Sequence, residues 1–118
     1  MSLLKETIDV IEESNMSVDD VEWVGSCDGA WVMSWDWFAS ISDIDYDSGY
    51  GAPEVAQDLV VVFRDGSWLE RYEYDGAECW RHKRRPYPKN SPEIPVRVIH
   101  PGGWMTLADI NETTPEGI

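Results

Sequence analysis

Between Asp43 and Glu54 the carboxylates recur at a spacing that suits two kinds of chemistry. With Asp43 as the first position, acids stand at positions one, three, five and twelve: Asp43, Asp45, Asp47 and Glu54. That is the oxygen-ligand spacing of an EF-hand calcium loop, whose last Glu grips a hard cation with both oxygens. Two features argue against calcium. The sixth position needs glycine for its sharp turn but holds Ser48, with Gly49 one place late. Pro53 and the β-branched run Val60-Val61-Val62 replace the helix that should leave the loop. No resident metal or other cofactor is expected. The second chemistry is imitation of a phosphate backbone. In an extended chain, residues i, i+2 and i+4 face one way, about 6.6 Å apart. That is close to the phosphate spacing along one nucleic-acid strand, set by one charge per ~3.4 Å of axis. Asp43, Asp45, Asp47 and Glu54 are therefore the candidate partner-binding residues, with Asp19, Asp20 and Glu22 extending the row.

The charge of the whole chain favours this second use. Asp plus Glu number 23 against 9 Lys plus Arg, a formal charge of −14 over 118 residues. Residues 1–63 hold fourteen carboxylates and a single base, Lys5. Such a surface repels nucleic acid, so direct nucleic-acid binding is not expected. It attracts basic grooves, with fast and salt-sensitive encounter. The opposite charge is concentrated in Arg81, Lys83, Arg84, Arg85, Lys89 and Arg97. The cluster Arg81, Lys83, Arg84 and Arg85 would pair on a strand with neighbouring acids, or meet an acidic patch or an RNA phosphate.

Catalysis has little support, and the chain reads as a non-enzyme. His82 and His100 are far apart in sequence, and no local pattern joins either to Cys27 or Cys79. There is no phosphate-cradling glycine loop followed by lysine. Two cysteines are too few for a disulfide scaffold or an all-cysteine zinc site, which points to reduced thiols in a cytosol. The chain has no apolar run long enough to span a bilayer and no signal-peptide pattern at its start. The seven tryptophans are too many for a small core, so four or five are expected inside and the rest at a surface. Exposed Trp is the currency of protein interfaces and of sugar stacking.

These residues need a scaffold. Leu4, Ile8 and Ile11 make one apolar stripe, which predicts a helix over residues 2–14 stopped at Asn15. Asp28-Gly29 between the apolar runs 21–25 and 31–33 predicts a hairpin with a type I′ turn. Ser34 is a plausible N-cap for a short helix over residues 35–42. Residues 59–63 read as a central strand buried on both faces. Residues 68–74 alternate, with Leu69 and Arg71 on one face, and Asp75-Gly76 turns the chain into a returning strand over 77–83. The expected fold is α+β: an N-terminal helix and a four- to five-stranded, mostly antiparallel meander with a second short helix. Residues 1–85 form the single domain. Pro86, Pro88, Pro92 and Pro95 mark 86–118 as a Pro-rich linker and tail, with a last edge strand expected over residues 96–99.

One further pattern bears on origin. Trp23-Val24-Gly25-Ser26 with Asp28-Gly29 opens it, and Tyr46-Asp47-Ser48-Gly49-Tyr50-Gly51, Glu54 and Asp58-Leu59-Val60-Val61 follow. Trp68-Leu69-Glu70-Arg71, Glu73-Tyr74-Asp75-Gly76 and Trp80 complete it. Over residues 21–83 this resembles small acidic proteins encoded by bacteriophages and prophages, a group with no assigned activity. The resemblance implies a phage origin and a bacterial host cytoplasm, and carries no catalytic residues over. By size, charge and origin it is also similar to phage inhibitors of host nucleic-acid enzymes, the anti-CRISPR proteins among them. The expected function is therefore an acidic, DNA-mimicking inhibitor of a host protein with a basic groove. The alternative is a phage structural or assembly protein that oligomerises through a Trp-rich surface; the sequence leaves the oligomeric state open.

Overall fold

A computed structural model of the chain describes residues 1–49, 51–88 and 96–112. They fall into two compact units, Met1–Arg85 and Pro86–Ile118. The first is an α+β fold. Helix α1 (Leu3–Glu13) begins at Ser2, whose hydroxyl accepts the Lys5 N–H at 3.1 Å. It ends where Asn15 takes a φ of 60°, a left-handed turn that asparagine tolerates. The buried face of α1 is not the Leu4–Ile8–Ile11 stripe. Thr7 and Ile11 are fully buried and Leu3 and Val10 pack beside them, while Leu4 and Ile8 are half-buried. The helix is turned because Thr7 can be buried without an orphan polar group. Its hydroxyl donates to the Leu3 carbonyl at 2.7 Å and accepts the Trp80 indole N–H at 2.9 Å.

A five-stranded antiparallel sheet follows, with strands β1 (Val21–Ser26), β2 (Val32–Met33), β3 (Leu59–Phe63), β4 (Trp68–Tyr74) and β5 (Ala77–Lys83). Their spatial order is β2-β1-β3-β4-β5, so the β-branched β3 is central as its composition requires. Helix α2 (Trp35–Ile41) is capped by Ser34, which accepts the Trp37 N–H. One face of the sheet supplies Val24, Val61, Phe63, Leu69 and Trp80 to the core, where Ile11 of α1 and Phe38 of α2 join them. The other face carries the cross-strand row Trp23, Val62 and Trp68.

Three local expectations are corrected. The Asp28-Gly29 turn is not type I′, since only Gly29 has positive φ. Instead Asp28 folds back to accept the Ser26 hydroxyl and the Ala30 N–H, which stabilises a longer loop. The type I′ conformation sits at Asp75-Gly76, with φ of 51° and 84°. Residues 96–99 form no strand. Only Trp80 of the seven tryptophans is buried. Trp23, Trp35 and Trp68 are half-buried and Trp31, Trp37 and Trp104 exposed, because two helices on one sheet face enclose too little volume for more. In the second unit, helix α3 (Leu107–Glu112) is capped by Thr106, and Asn111 bonds both the N–H and the carbonyl of Arg97. Pro92, Pro95 and Lys89 lie outside the described residues. No described helix is long and apolar enough to cross a membrane.

Replacing Thr7 with Val keeps the shape but strands the buried Trp80 N–H. Thermal or urea unfolding should show a loss of about 1–3 kcal/mol, whereas Thr7→Ser should retain most of the stability.

Candidate functional site

The candidate acids sit on the long connection between α2 and β3, residues 42–58. Connections of this length without regular structure are uncommon unless they serve a function. Among its described residues this one is pinned at several points in both halves. Its first leg runs antiparallel to the start of α1: Leu4 N–H donates to the Ser42 carbonyl at 2.9 Å and Leu3 N–H to Ile44 at 3.1 Å. Ser2 and Asp45 close a β-bridge. Those bonds use two N–H groups that the first turn of α1 leaves without intrahelical partners. Asp43 and Asp45 thus stand two residues apart on a held leg, both exposed. The Asp45 side chain is 86% accessible, with the Met1 ammonium 3.9 Å away.

The middle of the loop is anchored by a buried ion-pair centre that the sequence reading did not single out. Arg71 lies on the core face of β4 beside Leu69, with a side chain only 4% exposed. Its guanidinium donates to Glu78 Oε1 at 2.7 Å, to the Tyr46 hydroxyl at 3.0 Å and to Glu6 Oε1 at 3.3 Å. It stacks 4.7 Å from the Trp80 ring centre. Tyr46 donates in turn to Glu6 Oε2. Glu78 then reaches the second half of the loop: its two oxygens accept the Glu54 N–H at 2.8 Å and the Val55 N–H at 3.3 Å, and its own N–H donates to the Ser48 carbonyl. Four elements meet on one cation: α1, the loop, β4 and β5.

These contacts set the protonation states. Burial works to raise the Glu78 carboxyl, but the Glu54 N–H and Arg71 outweigh it and hold it below the usual carboxylate value. Burial and the bond to Glu6 push the Tyr46 hydroxyl up to about 12. Burial opposes the charge on Arg71, yet Tyr46 and Glu78 more than compensate and hold it above its ordinary value. On the same sheet face, burial and then the Arg84 charge lower His82, partly offset by Asp65. His82 meets Phe63 edge-on, and its Nε2 has no hydrogen-bond partner.

The candidate residues do not form one row. Asp43 and Asp45 share the extended leg. Asp47 instead turns back, its Oδ1 accepting the Gly49 N–H at 2.9 Å, while Glu54 Oε2 accepts the Asp47 N–H at 3.1 Å. Those two carboxylates brace the loop's own turn. Asp19 and Asp20 lie beyond the Phe63 end of β3 and Glu22 sits in β1 between the partners of Phe63 and Val62, whereas the loop enters β3 at Leu59. Asp20 caps Ser17, and the Asp19 carbonyl receives Arg64. The calcium geometry is likewise not realised: among the described residues no group of three His, Cys, Asp or Glu converges to hold a metal. The extended leg keeps Asp43 and Asp45 from curling around a common centre.

Behind the acidic leg lies an apolar cleft of about 370 Å³, walled by Leu3, Phe38, Ile41, Ile44, Val55 and Leu59. Asp45 and Glu54 stand among its lining residues. Ser42 also lines it and is 4% exposed, with an Oγ that has no hydrogen-bond partner.

Two outcomes follow from the ion-pair centre. Arg71→Met leaves Glu78 buried without its cation and should cost about 3–5 kcal/mol in denaturant unfolding, with faster amide exchange across residues 46–55. The second concerns acid. A group whose folded value is depressed contributes stability above its unfolded value and loses it as pH falls. His82, depressed from 6.5, therefore weakens the parent first, and Glu78, depressed from 4.5, weakens it at lower pH. His82→Gln should gain stability relative to the parent as pH falls below about 6.5, measured by paired thermal melts across pH 8 to pH 5.

No family model matches the chain, and the comparisons with curated proteins and with solved structures return no match, so function must be argued from the geometry.

Proposed function

We propose that the chain is a non-enzymatic binding protein of phage or prophage origin. Its acidic loop would occupy a positively charged groove of a host nucleic-acid-binding protein in the bacterial cytoplasm. One observation carries the reading: Asp43 and Asp45 are exposed on an extended leg that α1 fixes by backbone bonds. Charges two residues apart on such a leg repeat at about 6.6 Å, near the separation of successive phosphates. Because the leg is already ordered, little conformational freedom is lost on binding. The carboxylates best placed for acid–base chemistry, Glu6 and Glu78, are committed to Arg71 and Tyr46, which supports binding rather than catalysis. Asp47 and Glu54 then act by holding the loop, and Asp19, Asp20 and Glu22 form a separate acidic area.

A second reading, assembly of phage components, draws on a different observation. Trp31 and Trp37 are 78% and 61% exposed. An apolar interface of that kind is not screened by salt. Light scattering therefore separates the readings, since a multimer that persists at high salt favours assembly.

The direct experiment is a pull-down from nuclease-treated bacterial lysate with the parent protein and with Asp43→Asn/Asp45→Asn. The expected result is a nucleic-acid-binding protein captured by the parent, lost from the double variant and released as salt rises. Identical captures by both proteins, or binding indifferent to salt, would overturn the proposal.

A further inference from the structure

We infer that the apolar cleft behind the acidic leg seats one aliphatic side chain of the partner, with a lysine or arginine next to it in the partner's sequence; this rests on the binding function proposed above. The cleft lies wholly within Met1–Arg85, between α1, α2 and the two legs of the loop. Its size, about 370 Å³, is in the lower range of ligand pockets, roughly 300–1,000 Å³. Its floor is Phe38, which is buried, and Leu59, which is half-buried. Its rim includes Ile41 and Ile44, both exposed, so the unoccupied cleft keeps branched apolar surface in water. Covering such surface is favourable in proportion to the apolar area removed from water.

Three features narrow the occupant. The lining residues include two carboxylates, Asp45 and Glu54, and no base. A phosphate or carboxylate ligand is repelled there, and a cation is attracted. The orphan Ser42 Oγ is a buried polar atom of the kind native folds normally satisfy. A peptide backbone entering the cleft brings N–H and carbonyl groups, which a purely hydrocarbon ligand lacks. The walls are held before any ligand arrives, Ser42 and Ile44 by α1 and Val55 by Glu78. An apolar side chain followed by a base, on a peptide, satisfies all three.

The test uses the full chain with isotope-labelled methyl groups and three capped pentapeptides. The probe is Ser-Arg-Leu-Arg-Ser, and the controls replace its leucine with serine or both arginines with glutamate. The probe should shift the methyls of Leu3, Ile44 and Leu59. Affinity should fall about tenfold or more when the leucine is lost, and the glutamate peptide should leave the methyls unmoved. Ala56→Phe, which fills the cleft from its exposed rim, should abolish the leucine-dependent part while the remaining spectrum keeps its folded dispersion. Asp45→Asn should weaken binding and flatten its salt dependence. Equal shifts with leucine and serine peptides, shifts confined to the Trp23–Trp68 face, or none at millimolar probe would overturn the inference. If the cleft methyls stay unmoved while Asp43→Asn/Asp45→Asn still abolishes capture from lysate, the cleft inference fails and the proposed function stands. If the probe seats in the cleft while capture ignores those aspartates, the groove-blocking function fails and the cleft stands.

Discussion

Arg71 is the constraint on which the rest of this structure depends. A guanidinium taken out of water must be met by opposite charge and by acceptors, or the fold does not form around it. Here the requirement is met by residues from four places: Glu6 on α1, Tyr46 on the loop, Glu78 on β5 and the Trp80 face. None of them is close to Arg71 in sequence except Glu78 and Trp80 across the final hairpin. Satisfying one cation therefore brings the N-terminal helix, the long loop and the last two strands into register together. The free energy of the centre need not exceed that of an apolar replacement. What it supplies is a shared anchor: three acceptors from three elements meet the guanidinium's terminal nitrogens, while Nε is left without a partner.

The loop inherits its order from that centre and from the start of α1. The same α1 N–H groups that a helix end leaves unpaired are spent on the Ser42–Asp45 leg. The acidic residues consequently divide by role. Glu6 and Glu78 share Arg71, Asp47 and Glu54 shape the turn, and Asp43 and Asp45 face water.

Much of the fold was legible in the sequence because its signals are local. The Ser34 cap, the stop at Asn15, the β-branched β3 and the Asp75-Gly76 turn each rest on a few adjacent residues. The buried face of α1 was misread because Thr7 counts as polar, although its hydroxyl is used twice within the core. The tryptophan estimate failed because two helices cover one face of the sheet, and pattern alone does not say how many layers a domain has. The alternation of β4 already placed Arg71 on one face with Leu69. Its partners were not readable, since Glu6 and Tyr46 are 65 and 25 residues away and meet it only through the tertiary fold. The EF-hand spacing was already weighed against in the sequence, by Ser48 at the sixth position and Pro53 at the exit of the loop.

The two margins of the sheet close off one mode of association. At one margin β2 is only two residues long, too short to template another strand. At the other, β5 alternates Arg81 and Lys83 outward with Glu78 inward, and Arg81 lies flat over Tyr72 at 3.3 Å. Short margins, lysine and arginine along a margin, and an inward-pointing acid are devices that stop sheets from growing chain to chain. Arg81 and Lys83, odd in so acidic a protein, stand where such a device belongs, on the margin strand β5. Strand addition to the backbone is disfavoured at both margins.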